Sequence, residues 1–280
     1  MNQNLKFATN IEEQITKLVE RGMVIEDIEK AKENLLDIGY FRLGFYWFPF
    51  EKSYPRKQKR DHIFDLRNSF LRYISRVEIN FRTKLIYMAS NKYKEDPFWY
   101  VNSKYVEKSF LNSKAFQDAI RDANTETIVK QDLNRYSRSH APAWKVLEYL
   151  SFGVVISLFD NLKDGGLKHA ISMEYGMGSS TQFSNYMNTI RRLRNFCAHG
   201  KVLYDTNLPV AISNGPAGDL GSRKTMLSGA YYILKYILGK VSTNRQHDLV
   251  DDMRRAFDNV EFEIVKKIIC DNSGFDINTL

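Results

Sequence analysis

The sequence predicts an all-α protein, and three observations carry that expectation. Only 6 Pro and 15 Gly interrupt 280 residues. Apolar residues recur at steps of three and four over long stretches, the period of a helix with one buried face. No period-2 alternation between turn residues runs long enough to argue for a sheet.

The elements follow in order. Residues 1–55 read as an N-terminal helical extension, and the polar, basic stretch SYPRKQKRD (53–61) divides it from a helical body over 56–280. In 61–93, Ile63, Leu66, Phe70, Ile74, Val77, Phe81, Leu85 and Met88 draw one stripe, which predicts a long helix. Segment 144–162 is apolar on nearly every side: Leu147, Leu150, Val154 and Leu158 on one, Trp144, Phe152, Val155 and Phe159 on another. That predicts a single helix in the middle of a bundle. Phe183, Tyr186, Met187, Ile190, Leu193 and Cys197 predict a further helix over 183–197, and two more are expected at 224–241 and 247–270. NRYSRSHAPA (134–143) is a connection, with Pro142 near the first turn of the buried helix. The stretch 205–222, holding two Pro and three Gly, is expected to be a mobile loop.

Composition excludes more than it assigns. Two Cys rule out a disulfide scaffold and a four-thiolate zinc site. No apolar run of about 18 residues is present to cross a bilayer, and the N-terminus carries no apolar signal core. The expectation is a cytoplasmic protein with no membrane contact. The net charge is +8, and +6 of it falls between Glu51 and Lys84. That run is either a phosphate-facing surface or a solvated helix face with a basic loop.

The motifs of common enzymes are missing: no phosphate-cradling Gly-rich loop, HExxH, CxxC or GxSxG is found. The five His are scattered without metal-ligand spacing, so neither a metal nor a cofactor is expected. What remains is Arg194-Asn195-Phe196-Cys197-Ala198-His199 at the end of a well-patterned helix. Arg offers a permanent cation with a planar fork that fits a phosphate, and His exchanges protons near neutrality. Together they suit RNA cleavage without a metal. His draws the proton from a ribose 2′-hydroxyl, Arg stabilises the phosphoryl oxygens, and a His protonates the leaving 5′-oxygen. The spacing alone is weak, with roughly 0.3 such pairs expected by chance, and Arg135-x4-His140 matches it as well. On an ideal helix Arg194 and His199 lie about 140° apart and about 7.5 Å along the axis. Either the helix ends before His199, for which Gly200 is a suitable stop, or a two-fold dimer completes the site. At such an end the helix dipole favours protonated His199.

The string Arg194 to Gly200 resembles the RNxxxH signature of HEPN-type proteins, many of them metal-independent ribonucleases that act as dimers. Three further blocks resemble the bacterial abortive-infection (AbiD/AbiF-like) branch: Ile38-Gly39-Tyr40-Phe41-Arg42-Leu43, Arg76-Val77-Glu78-Ile79-Asn80-Phe81-Arg82, and Ala143-Trp144 through Glu148 to Ser151-Phe152-Gly153. The four blocks stand in the family's order over about residues 35–205, while Gly200-Lys201-Val202-Leu203-Tyr204 departs from its usual continuation. The resemblance implies a HEPN-like helical bundle and an RNase used in phage defence. It also implies a homodimer restrained by a small non-coding RNA or a protein antitoxin.

The expected catalytic residues are Arg194 on the phosphate, His199 as acid and base, and Asn195 orienting one of them. RNA contacts are expected from Arg56, Lys57, Lys59, Arg60, Arg72, Arg76 and Arg82, and from Arg191, Arg192 and Lys201 around the motif. Glu78 and Arg82 read as an i,i+4 ion pair, or as a support that orients Arg194 or His199. Trp144 is expected in the core, and Glu148 paired with Arg76 or Arg82. Cys197 reads as a structural thiol, Gly153 as room for close helix packing, and Tyr40, Phe41, Tyr46 and Trp47 as a small apolar cluster. A non-catalytic RNA-binding or regulatory module, or a protein-interaction bundle, are the alternatives to an enzyme.

Overall fold

The computed structural model describes residues 10–38, 64–201, 203, 206–260 and 263–276. Among them are thirteen α-helices and no strand, which bears out the all-α expectation. The expected boundary near residue 55, the aromatic cluster at 40–47 and the basic residues Arg56, Lys57, Lys59 and Arg60 lie outside the described residues.

Helix α1 (Ile11–Glu20) opens with a capping box: the Asn10 side chain accepts from the Glu13 amide, and the Glu13 carboxylate accepts from the Asn10 amide. It packs with α2 (Ile28–Ile38) over a small core of Ile15, Leu18 and Leu35. Helix α3 (Phe64–Lys92) is the axis of the body, and its predicted stripe is buried from Leu66 through Phe70, Ile74, Val77, Phe81 and Leu85. The Phe81 ring meets Phe152, Phe159 and Phe183 with centroids 6.5, 5.8 and 5.6 Å away.

The stretch 94–136 holds three short helices, α4 (Lys108–Leu111), α5 (Lys114–Ala123) and α6 (Thr127–Tyr136), the last running into the expected connection at 134–143. Buried Asp132 on α6 accepts hydrogen bonds from Arg138 and Lys145. Burial pushes its carboxyl pKa up, but the two cations hold it below the ordinary value. Nearby His140 sets its ring edge-on to Tyr100, and its Nδ1 is buried without a hydrogen-bond partner. Burial lowers its pKa. The folded state thus binds the proton less tightly than the unfolded chain, and stability is lost as pH falls from about 6.5 through the folded value. The thermal midpoint should drop between pH 7 and pH 5, and His140→Phe should flatten that slope. An unchanged slope in the variant would assign the loss to other groups.

The predicted helix over 144–162 is corrected to two. Helix α7 (Ala143–Val146) runs into a 3-10 turn at Leu147–Tyr149, Leu150 is extended, and α8 (Phe152–Asp160) starts afresh. Ser151 causes the restart: its hydroxyl accepts from the Val154 amide as an N-cap. Trp144 is corrected as well, since it is 51% exposed rather than in the core. Helices α9 (Gly165–Met173) and α10 (Ser180–Ala198) come next.

The stretch expected as a mobile loop is tied down. Ser213 N–H donates to Asn185 Oδ1, Asn185 Nδ2 donates to Ala211 O, and Leu208 and Ile212 bond the carbonyls of Thr225 and Lys224. The buried side chains of Leu208, Ile212 and Leu220 anchor it further. Helix α11 (Leu227–Val241) is buried along most of its length. The helix expected over 247–270 is two, α12 (Thr243–Asp258) and α13 (Glu263–Ser273), with α12 ending at Asn259.

Candidate functional site

Helix α10 begins where the Ser179 hydroxyl accepts from the Gln182 amide and buries Phe183, Tyr186, Met187, Ile190, Leu193 and Cys197. Its remaining surface carries Arg191, Arg192, Arg194 and Asn195. The end is set by Gly200, whose φ of 62° lies in the left-handed region that glycine enters without strain. Gly200 N–H donates to Cys197 O at 3.3 Å and Lys201 N–H to Phe196 O at 2.9 Å, the two bonds of a Schellman motif. Lys201 Nζ also lies 4.8 Å from the Phe196 ring centroid, closing the turn with a cation–π contact. From α3, Arg67 donates through Nε and Nη2 to Lys201 O at 3.3 and 3.1 Å.

His199 is therefore the C-cap of α10, as the position of Gly200 predicts. Both Arg194 and His199 are exposed, and among the described residues neither side chain has a hydrogen-bond or ion-pair partner. Asn195 is half-buried and falls between them on the helix surface. Arg191 and Arg192 are half-buried too. Burial and the charge of Arg191 lower the pKa of Arg192, a repulsion that a bound anion relieves. This end of the molecule thus presents a proton-exchanging ring and unpaired guanidinium groups to solvent, which suits an anionic substrate.

The cations of α3 divide. Arg76 is exposed without an ion-pair partner among the described residues. Arg72 is exposed and stands 3.7 Å from Asp252. Nine positions separate Arg76 from Arg67, about 180° around a helix, so in one chain Arg76 faces away from the turn that holds His199. Arg82 is committed internally: it donates to Glu78 Oε1 at 3.0 Å and to Leu150 O at 2.9 Å, with Glu148 3.9 Å away. Glu78 pairs with Arg82 rather than with Arg194 or His199, so the ion-pair alternative is the one found. Glu148 finds Arg82 as its partner, yet lies on an exposed edge beside Trp144 and Tyr87.

The second Arg-x4-His string serves packing. Arg135 lies over the Tyr136 ring and His140 sits against Tyr100. Sequence reasoning gives no role to Arg67, which fixes the chain two residues after His199; only its place in the basic run marks it. Gly153, expected to give room for close helix packing, faces Arg191 of α10, whose Cδ a Cβ there would meet at 3.3 Å. Among the described residues no group of three His, Cys, Asp or Glu side chains is placed to hold a metal ion, and no helix is long and apolar enough to cross a membrane. Cys197 and Cys270 are free and buried.

A protein-family model described as Abi-like protein matches residues 33–205, the stretch that holds all four ordered blocks. No curated protein and no solved structure matches the chain.

Proposed function

Since the chain belongs to the Abi-like protein family, whose setting is abortive infection in defence against phage, we propose that it is a metal-independent endoribonuclease. The observation that carries this is the Schellman stop after α10, which leaves the His199 and Arg194 side chains exposed and, among the described residues, without an internal hydrogen-bond or ion-pair partner. His199 accepts the proton of a ribose 2′-hydroxyl as that oxygen attacks the adjacent phosphorus. Arg194 holds the non-bridging oxygens as their charge grows, and Asn195, between the two, orients the phosphate. The P–O5′ bond breaks, and the departing 5′-oxygen takes a proton from the His199 of a second copy. The products are a 2′,3′-cyclic phosphate and a 5′-hydroxyl. A dimer also answers the 140° offset between Arg194 and His199, because two copies placed round one cleft supply both groups from different directions.

Incubation with total RNA in EDTA tests this directly. Fragments should carry cyclic-phosphate and 5′-hydroxyl ends, and a deoxyribose at the scissile nucleotide should block cleavage. Intact RNA, or fragments with 5′-phosphate ends, would sink the mechanism.

A further inference from the structure

Four polar residues of α10 lie in one line leading away from the motif. Ser184, Asn188, Arg191 and Asn195 fall within about 60° of the helix circumference, and the line runs on to His199 about 22 Å from Ser184. Its members are pre-set by hydrogen bonds. Asn188 Nδ2 donates to Ser184 O and Oγ at 3.1 and 3.3 Å, and Asn188 Oδ1 accepts from Arg191 Nε at 3.2 Å. Gly153 leaves the space that the Arg191 side chain fills, since a methyl group there would stand 3.3 Å from Cδ and 3.4 Å from Nη1.

At the far end the line opens into a cleft of about 240 Å³ lined by Phe159, Asp160, Lys168, Ser180, Thr181 and Ser184. Lys168 Nζ donates to Asp160 O at 3.2 Å, so its charge stands at the mouth of that cleft. Asp160 occupies the last position of α8, where the helix dipole disfavours a negative charge. Asp160 lines the cleft, and the residue as a whole stays open to solvent. Burial raises its pKa, against the pull of Ser184, Lys168, Asn188 and Arg191. Ser184 and Asn188 hydrogen-bond that carboxylate and two cations stand near it, so it is held in place at the cleft against the cost of burial.

We propose that the α10 line is a groove for the RNA backbone, and that its far end is a ribonucleotide subsite. Lys168 and Arg191 take phosphates, and the Asp160 carboxylate accepts the ribose 2′-hydroxyl. The inference rests on the ribonuclease function proposed above and adds to it where the strand lies and how RNA is told from DNA. At about 3.4 Å per nucleotide of a stacked strand, the subsite sits about six nucleotides from the scissile phosphate.

Binding, rather than cleavage, tests it. Affinity for a single-stranded RNA 12-mer and for the DNA 12-mer of the same sequence is measured by fluorescence anisotropy, in a His199→Ala background that keeps the RNA intact. Asp160→Ala should narrow the preference for RNA about five-fold, the scale of one lost hydrogen bond. Lys168→Ala and Gly153→Ala should each weaken binding of both 12-mers, and Lys168→Ala should flatten the salt dependence by about 0.7 of a phosphate slope. An RNA preference unchanged in Asp160→Ala, with RNA still bound, overturns the subsite and leaves the ribonuclease function standing. Failure of the parent to bind RNA at all overturns both.

Discussion

His199→Ala should lower the rate of RNA cleavage by about 10²–10⁴-fold, the usual contribution of a positioned acid–base group. The fold should be unaffected. The imidazole is exposed, and the turn around it is made by Gly200 and Lys201 through backbone bonds that alanine leaves in place. The thermal midpoint should therefore stay close to that of the wild type, so a rate loss can be assigned to chemistry. Arg194→Ala should cost about 10²–10³-fold, as expected for one group that stabilises developing charge. Arg194→Lys should recover only part of this, because an ammonium keeps the charge and loses the planar fork. Rates are read with a labelled RNA in EDTA. Cleavage by His199→Ala at the wild-type rate would remove the imidazole from the mechanism.

The largest expected effect on stability is at Phe81. Its ring is fully buried where α3, α8 and α10 converge, against Phe152, Phe159 and Phe183. Phe81→Ala should cost about 3–5 kcal/mol, combining lost apolar burial with the cavity left behind. That is a large share of the roughly 5–15 kcal/mol that holds a typical domain together. Denaturant unfolding gives the value through the shift in midpoint at constant slope. A loss below about 1 kcal/mol, under the usual range for such a truncation, would mean that the junction refills the space and that the three helices are not held by this contact.

The parts of the fold legible in the sequence are those whose cause is local. The α3 stripe is periodic over many turns, and Leu66, Phe70, Ile74, Val77, Phe81 and Leu85 are core as periodicity predicts, with Tyr73, Ile86 and Ala89 buried beside the stripe. The stop of α10 follows from one glycine that can enter the left-handed region. The break before α8 is also local, but the apolar run around it hides it: Ser151 caps a new helix inside a stretch whose pattern suits one long helix. The misplacement of Trp144 has the same origin, because a residue on a four-residue helix need not share the buried face of its successor. The short helices α4 to α6 hold too few turns for a periodic pattern to stand out. The anchoring of 206–226 depends on Asn185 and partners far along the chain, which no local pattern contains. In the candidate site, Arg194 and His199 are named by chemistry and spacing, whereas the seat of Arg191 on Gly153 needs the approach of two helices.

The capping of α10 has a consequence for how charge is handled there. The amide hydrogens of His199, Gly200 and Lys201 all point back to carbonyls of Asn195, Cys197 and Phe196. These three amides are therefore not available to a phosphoryl oxygen. In the proposed reaction, a phosphoryl oxygen at this turn would have to be met by the guanidinium groups in place of these amides, the part that backbone amides play in many oxyanion sites.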